Sequence, residues 1–345
     1  MKIFYSEEHR KHYPPFEVFD GGQRVPYYEN PDRMDQILTV LKKANWAELI
    51  EPKDFGLDPI LAIHDQEYIN FIASCWTDWL ASDPEVAAAP EQRAFLPATF
   101  ALRRKSRPTS SIRGRGGYYM MDLSACIVEG TYKASLASAN CALSAAEAVF
   151  NGQPATFGLC RPPGHHSGKD YAGGYCFINN AAVAANWLST KGKVALLDID
   201  YHAGNGTQDI FYERNDVLTI SIHGDPDFEY PYYIGFADET GTGKGLGFHK
   251  NFPLPKGTND SNYLQALDQA LEMIREFAPI YLVLSAGMDL FDGDPLGTFC
   301  VSQNGIGEIG KRIAGLNLPT TIIMEGGYAN EALGTNIVTL LENFK

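Results

Sequence analysis

Five short apolar runs without polar alternation set the architecture: TFGLC (156–160), KVALLDI (193–199), VLTISI (217–222), IYLVLSA (280–286) and PTTIIME (319–325). A strand with one wet face shows a polar residue at every second position, so runs lacking that pattern are covered on both faces. Between them lie stretches with helical character: TYKASLASANCALSAAEAVF (131–150), NNAAVAANWLST (179–190), SNYLQALDQALEMIREFA (261–278) and GIGEIGKRIAGL (305–316). Strand and helix in turn predict an α/β protein, a three-layer α/β/α sandwich around a mostly parallel central sheet. A chain of 345 residues, 45% of them hydrophobic, has enough core for a single domain spanning residues 1–345. Residues 76–118, rich in Pro, Ala, Arg, Ser and Gly without a clear period, break the rhythm and read as an inserted loop, either a lid or an interface or a disordered surface loop.

Charge narrows the partners. A formal net charge of −14 repels nucleic acid and suits a cationic substrate. The six cysteines show no C-x-x-C spacing and are expected to be reduced. No apolar leader opens the chain and no run of ~18 uncharged apolar residues occurs, so a soluble cytoplasmic protein without a membrane partner is expected.

In a parallel sheet, ligands bind at the carboxyl ends of the strands, where loops converge. His165 and His166 follow the first run, Asp200 and His202 the second, His223 the third, Asp289 the fourth and Tyr328 the fifth. Asp200 and His202, two residues apart on extended backbone, share a face and can chelate one ion. Asp289 is the best third ligand, because Asp292 and Asp294 sit among Gly and Pro that read as turn chemistry. Three protein ligands with one position open is the catalytic form of a zinc site, although two carboxylates and an imidazole also accept Fe2+. Asp198 lies deeper on the same face, where an acid needs a histidine partner or a second, monovalent cation. Tandem histidines divide acid and base work when their partners differ, and Asp198 and the neutral Asn205 supply such a difference. Gly326-Gly327 lets Tyr328 reach a cavity, where a phenol stabilises an oxyanion.

RPPGHH, GGYCFINNAAVAA, DIDYHAGNGTQ, SIHGD, SAGMDLFDGDP and EGGY, in this order, resemble the histone deacetylase superfamily over nearly the whole chain, most closely its bacterial acetylpolyamine amidohydrolases. The resemblance implies an arginase/deacetylase-like fold, Zn2+ on Asp200, His202 and Asp289, and a metal-activated water as nucleophile. It implies His166 as general base and acid, His165 as an electrostatic or secondary acid group, and Tyr328 as donor to the scissile carbonyl. Asp198 is then the partner of His165 and Asn205 of His166, where some branches have Asp. A structural K+ is implied near Asp198, Asp200, His202, Ser221 and the carbonyl of Ile222. Tyr175 and Tyr232 match the aromatic walls around the acetylated chain.

In the polyamine branch an insertion like 76–118 narrows the site across a homodimer and selects slender cationic amines, so a homodimer is expected here. Glu17, Asp20 and Asp122 are the acids available to a distal ammonium, while Ser124 stands where a glutamate is expected, which counts against long polyamines and leaves short diamines such as acetylputrescine or acetylcadaverine as candidates. The competing readings are a broad acetyl-lysine peptide deacetylase, a metal-stabilised binding module without turnover, and an arginase-like two-metal hydrolase, which needs more bridging ligands than this chain offers.

Overall fold

The computed structural model describes residues 1–19, 22–102 and 106–345. Ten strands are numbered in chain order: β1 (Lys2–Phe4), β2 (Glu17–Val18), β3 (Arg24–Val25), β4 (Glu48–Ile50), β5 (Ala155–Gly158), β6 (Val194–Asp198), β7 (Val217–Gly224), β8 (His249–Leu254), β9 (Tyr281–Ala286) and β10 (Thr320–Met324). Eight form one sheet in the order β4-β1-β5-β10-β9-β6-β7-β8, every neighbouring pair parallel. β2 and β3 make a separate antiparallel pair.

The unbroken apolar runs are explained by what each face meets. Ala195 and Leu197, Leu282 and Leu284, and Ile322 and Met324 enter one buried cluster with the helices Asp32–Leu41, Asp260–Phe277, Gln303–Ala314 and Asn330–Leu341. The residues between them, Val194, Leu196, Val283 and Ile323, enter a second cluster with the helices Gln66–Ser82, Thr131–Phe150 and Asn180–Ser189. A period of two with both phases apolar is the signature of a sheet wrapped on both sides. Helix starts are fixed by side-chain caps: Asn179 accepts from the N–H of Ala182, Asn259 from that of Asn262, and Ser302 from that of Gly305.

All five expected strands and four expected helices are present. Three sheet strands escaped sequence reading: β1 and β4 are only three residues long, and β8 carries His, Lys and Asn at the sheet edge. The stretch 76–118 is only partly the expected loop. The helix Gln66–Ser82 runs into it, Pro84–Ala87 forms a further turn, and Ile112–Tyr119 closes it as a helix. Its Phe95 joins Ile127 by a two-way backbone bridge, and its Ala94 and Leu96 pack in a third apolar cluster with Tyr27, Tyr175 and Tyr328. Among the described residues no helix is long and apolar enough to cross a membrane.

The chain lays down β5, passes to β6 and moves outward to β8. It then returns to insert β9 beside β6 and β10 beside β5. The direction of winding therefore switches between β5 and β6, and the loops after β5, β6, β9 and β10 open at the point where α/β sheets bind ligands.

Candidate active site

Asp200, His202 and Asp289 come together at this mouth, with one ligand atom of each lying within 4.8 Å of the others. Nδ1 of His202 is 3.4 Å from Asp200 Oδ1 and 3.1 Å from Asp289 Oδ2. Ligands on a tetrahedral zinc at ~2.0–2.1 Å stand about 3.3 Å apart, so these separations are the edges such an ion would require. The remaining carboxylate oxygens are tied to backbone: Asp200 Oδ2 accepts from the N–H of Gly326 at 2.8 Å, and Asp289 Oδ1 from that of Tyr201 at 2.9 Å. A Cβ at Gly326 would strike the carboxylates of both Asp289 and Asp200, so the cradle exists only with glycine there. Two buried acids facing one imidazole form a donor set that fits a divalent cation. Burial and the charge of Asp200 push Asp289 up, to about 7. Burial works in the same direction on Asp200, but His165 and His202 overcome it and hold Asp200 well below the usual carboxylate range.

The two histidines stand beside this cluster with ring centroids 3.9 Å apart and different partners. Nδ1 of His165 donates to Asp198 Oδ2 at 2.9 Å, and its Nε2 lies 3.6 Å from Asp200 Oδ1. Burial opposes its charge, but Asp200 and Asp198 prevail and raise His165 to about 10; a cation on Asp200 would withdraw part of that support. Nδ1 of His166 donates to Asn205 Oδ1 at 2.7 Å, which leaves the lone pair on Nε2. Burial, then the charges of His165 and His202, keep His166 well below the ordinary histidine value. The pair thus differs: Asp200 and Asp198 favour charge on His165, while burial and the neighbouring imidazoles oppose it on His166. Both oxygens of Asp198 accept a hydrogen bond, because its Oδ1 also accepts from the N–H of Asp200 at 3.0 Å.

Tyr328 is buried, and burial raises its phenol well above 10, so it remains a proton donor. Its backbone N–H and that of Ala329 both donate to Asp294 Oδ2, at 2.6 and 2.9 Å. Asp294 is a turn residue as its sequence context indicated, and it also anchors Tyr328. Arg33 supports the same loop from below, donating to the carbonyls of Gly327 (2.8 Å) and Glu325 (2.7 Å) and lying over the Tyr328 ring. Its charge is balanced by Glu29, which also pairs with the buried Arg161. His223, expected at the mouth, lies inside β7 and is occupied by Ser221 and the carbonyl of Gly235.

Both expected wall residues hold a left-handed backbone, Tyr175 at φ 66° and Tyr232 at φ 68°. A non-glycine residue pays for that conformation, and such residues gather at functional sites. The Tyr175 ring packs 5.7 Å from Tyr328, while Tyr232 is 46% exposed. Tyr230, which sequence reading passed over, stands edge-on to His166 at 4.9 Å and to His202 at 6.0 Å. Two of the acids expected to meet an ammonium, Glu17 and Asp122, are occupied within the protein. Glu17 is 1% exposed and accepts from Tyr28 N–H and the Tyr175 hydroxyl. Asp122 accepts from the N–H groups of Ser124, Ala125 and Gly174 and from the Tyr230 hydroxyl. They brace the aromatic walls. Asp20 lies outside the described residues.

A site of this composition at the switch point of a parallel sheet defines a class. The profile of the histone deacetylase domain matches residues 27–344, and the chain belongs to the histone deacetylase family; it is an amide hydrolase acting on acetylated amides. It is similar over its whole length to two Pseudomonas aeruginosa proteins. Acetylpolyamine amidohydrolase 2 is 44% identical over 348 residues, covering 100% of this chain and 99% of the relative. Acetylpolyamine amidohydrolase 1 is 45% identical over 351 residues, with the same coverage. The crystal structure of acetylpolyamine aminohydrolase from Burkholderia pseudomallei superposes with a TM-score of 0.94 at 38% identity, covering 100% of this chain and 98% of that one.

Proposed function

We propose that the chain removes the acetyl group from small acetylated polyamines, short diamines such as acetylputrescine and acetylcadaverine foremost. The observation that carries the reaction is the convergence of Asp200, His202 and Asp289 beside a histidine whose only free nitrogen is an acceptor. These three residues would hold Zn2+, which supplies Lewis acidity to the amide carbonyl and lowers the pKa of a water from ~15.7 towards ~7.

The chain's own groups do the rest. Nε2 of His166 takes the proton from the attacking water, and Asn205, as acceptor at Nδ1, keeps the ring in the tautomer that can do so. The Tyr328 hydroxyl donates to the carbonyl oxygen as negative charge develops there. His165, whose charge Asp200 and Asp198 favour, adds a positive field beside the same centre. The proton on His166 then passes to the departing amine. A K+ among Asp198, Asp200, His202, Ser221 and the Ile222 carbonyl is part of this reading; Asp198 and Ser221 are register partners on β6 and β7.

Substrate choice is inferred from the full-length similarity to polyamine-acting relatives, the net charge of −14, and Ala94 and Leu96 of the 76–118 segment packing with the wall residue Tyr175. The same segment, whose Leu102 is 78% exposed, is proposed to mediate a homodimer. The test compares kcat/KM of the zinc-loaded protein on N-acetylputrescine, N-acetylcadaverine, N-acetylspermidine and an acetyl-lysine peptide. A preference of about tenfold or more for the small amines, with kcat reduced ~10²–10³-fold in Tyr328→Phe, is expected. Preference for the peptide would overturn the polyamine assignment.

A further inference from the structure

The side chain of Glu325 takes no part in the steps above, yet it is fully buried and three hydrogen bonds converge on it. Its Oε2 accepts from the N–H of Gly164 at 2.7 Å and of His165 at 3.2 Å, and its Oε1 from the Ser285 hydroxyl at 2.9 Å. A buried carboxylate ordinarily meets a cation. Here the neighbouring guanidinium of Arg33 goes instead to the Glu325 backbone carbonyl, and the carboxylate is left for amides.

The choice of amides is informative. Pro162 and Pro163 carry no N–H, so Gly164 and His165 offer the first donors in the turn that presents the histidine pair. The other end of the clamp is Ser285 on β9, the register partner of Asp198 on β6. Glu325 therefore ties the histidine turn to β9, the strand that leads to Asp289 and whose Ser285 lies beside Asp198 of β6. Immediately after it, the Gly326 N–H holds Asp200.

We infer that Glu325 is a positioning residue that fixes the His165–His166 turn against β9, so that Nε2 of His166 stays aligned with the metal cluster; this rests on the role proposed above for the histidines. It acts through its hydrogen bonds. A glutamine in the same pose keeps all three, its amide oxygen accepting from both N–H groups and its NH2 donating to Ser285.

The test measures kcat, KM and bound zinc for Glu325→Ala, Glu325→Gln and His166→Ala on N-acetylputrescine. Glu325→Ala is expected to lower kcat about 10- to 100-fold at near-constant KM and unchanged zinc content, and Glu325→Gln to restore most of kcat. Full kcat in Glu325→Ala, a Glu325→Gln as slow as Glu325→Ala, or zinc lost in step with kcat would each overturn the role. Should Glu325→Ala not fold, Glu325→Asp, too short to reach both amides, takes its place with the same expectation. An active His166→Ala sinks the proposed function itself, whereas an inactive His166→Ala beside a fully active Glu325→Ala sinks only the role of Glu325.

Discussion

The mouth of the sheet and the 76–118 segment border the same aromatic cluster but are held by different physics. At the mouth, Asp198, Asp200, Asp289, Asp294 and Glu325 are all buried, and each carboxylate accepts from a backbone N–H or an imidazole. In the segment, Arg113 pairs with Asp83 in the open, at 3.0 Å with the arginine 65% exposed, and Arg115 pairs with Asp78 at the half-buried edge. Buried networks are costly to disturb and exposed pairs are nearly free. The candidate site thus lies in a network that is costly to disturb, while the exposed pair beside it can be lost at little cost to stability.

The largest break of this contrast is expected from Asp289→Ala. It removes one of the three proposed ligands and leaves Asp200 and His202 without their third partner, so bound zinc and deacetylation are both expected to vanish; metal analysis after dialysis reads this directly, and retained zinc would remove Asp289 from the proposed ligand set.

A middle-sized effect is expected where the two regions meet. Burial raises the Glu17 carboxyl from 4.5 to about 7, against the pull of Tyr28 N–H and the Tyr175 hydroxyl. The folded state then binds this proton more tightly than the unfolded state between those values, so stability falls as pH rises through that window. Thermal unfolding of Glu17→Gln across the same window should show a shallower fall than the parent. An identical slope would mean that Glu17 carries no such penalty.

The smallest effect belongs to the segment itself. Arg113→Ala, which deletes an exposed pair, should change unfolding free energy by about 0–1 kcal/mol. A loss of several kcal/mol in denaturant titration would erase the contrast between the regions.

Legibility in the sequence followed the same division. The strands β5, β6, β7, β9 and β10 were readable because burial on both faces removes polar residues, and the site was readable because polar residues reappear where those strands end. Asp200, His202, Asp289, His165, His166 and Tyr328 were all reachable by that logic, and Asp198 with His165 and Asn205 with His166 pair as expected. Glu325 gave the same signal as Asp198, an acid closing an apolar run, and was overlooked beside the glycines that follow it. Arg33 and Asp294 act on backbone groups far away in sequence, and no local pattern marks such partners. Glu17 and Asp122 could be singled out as acids, but whether an acid faces solvent or a tyrosine hydroxyl depends on packing that spacing does not encode.

The strand order also bears on how the enzyme comes into being. Until β9 and β10 are in place, the order leaves two three-stranded pieces, β4-β1-β5 and β6-β7-β8, with no strand pairing between them. The last two strands to leave the ribosome are the ones that join the halves. Contacts between residues so far apart in sequence form late and slowly. Asp289 and Tyr328, which follow those two strands, therefore join the histidines and Asp200 only after nearly the whole chain has been made, and an unfinished chain lacks part of the candidate site.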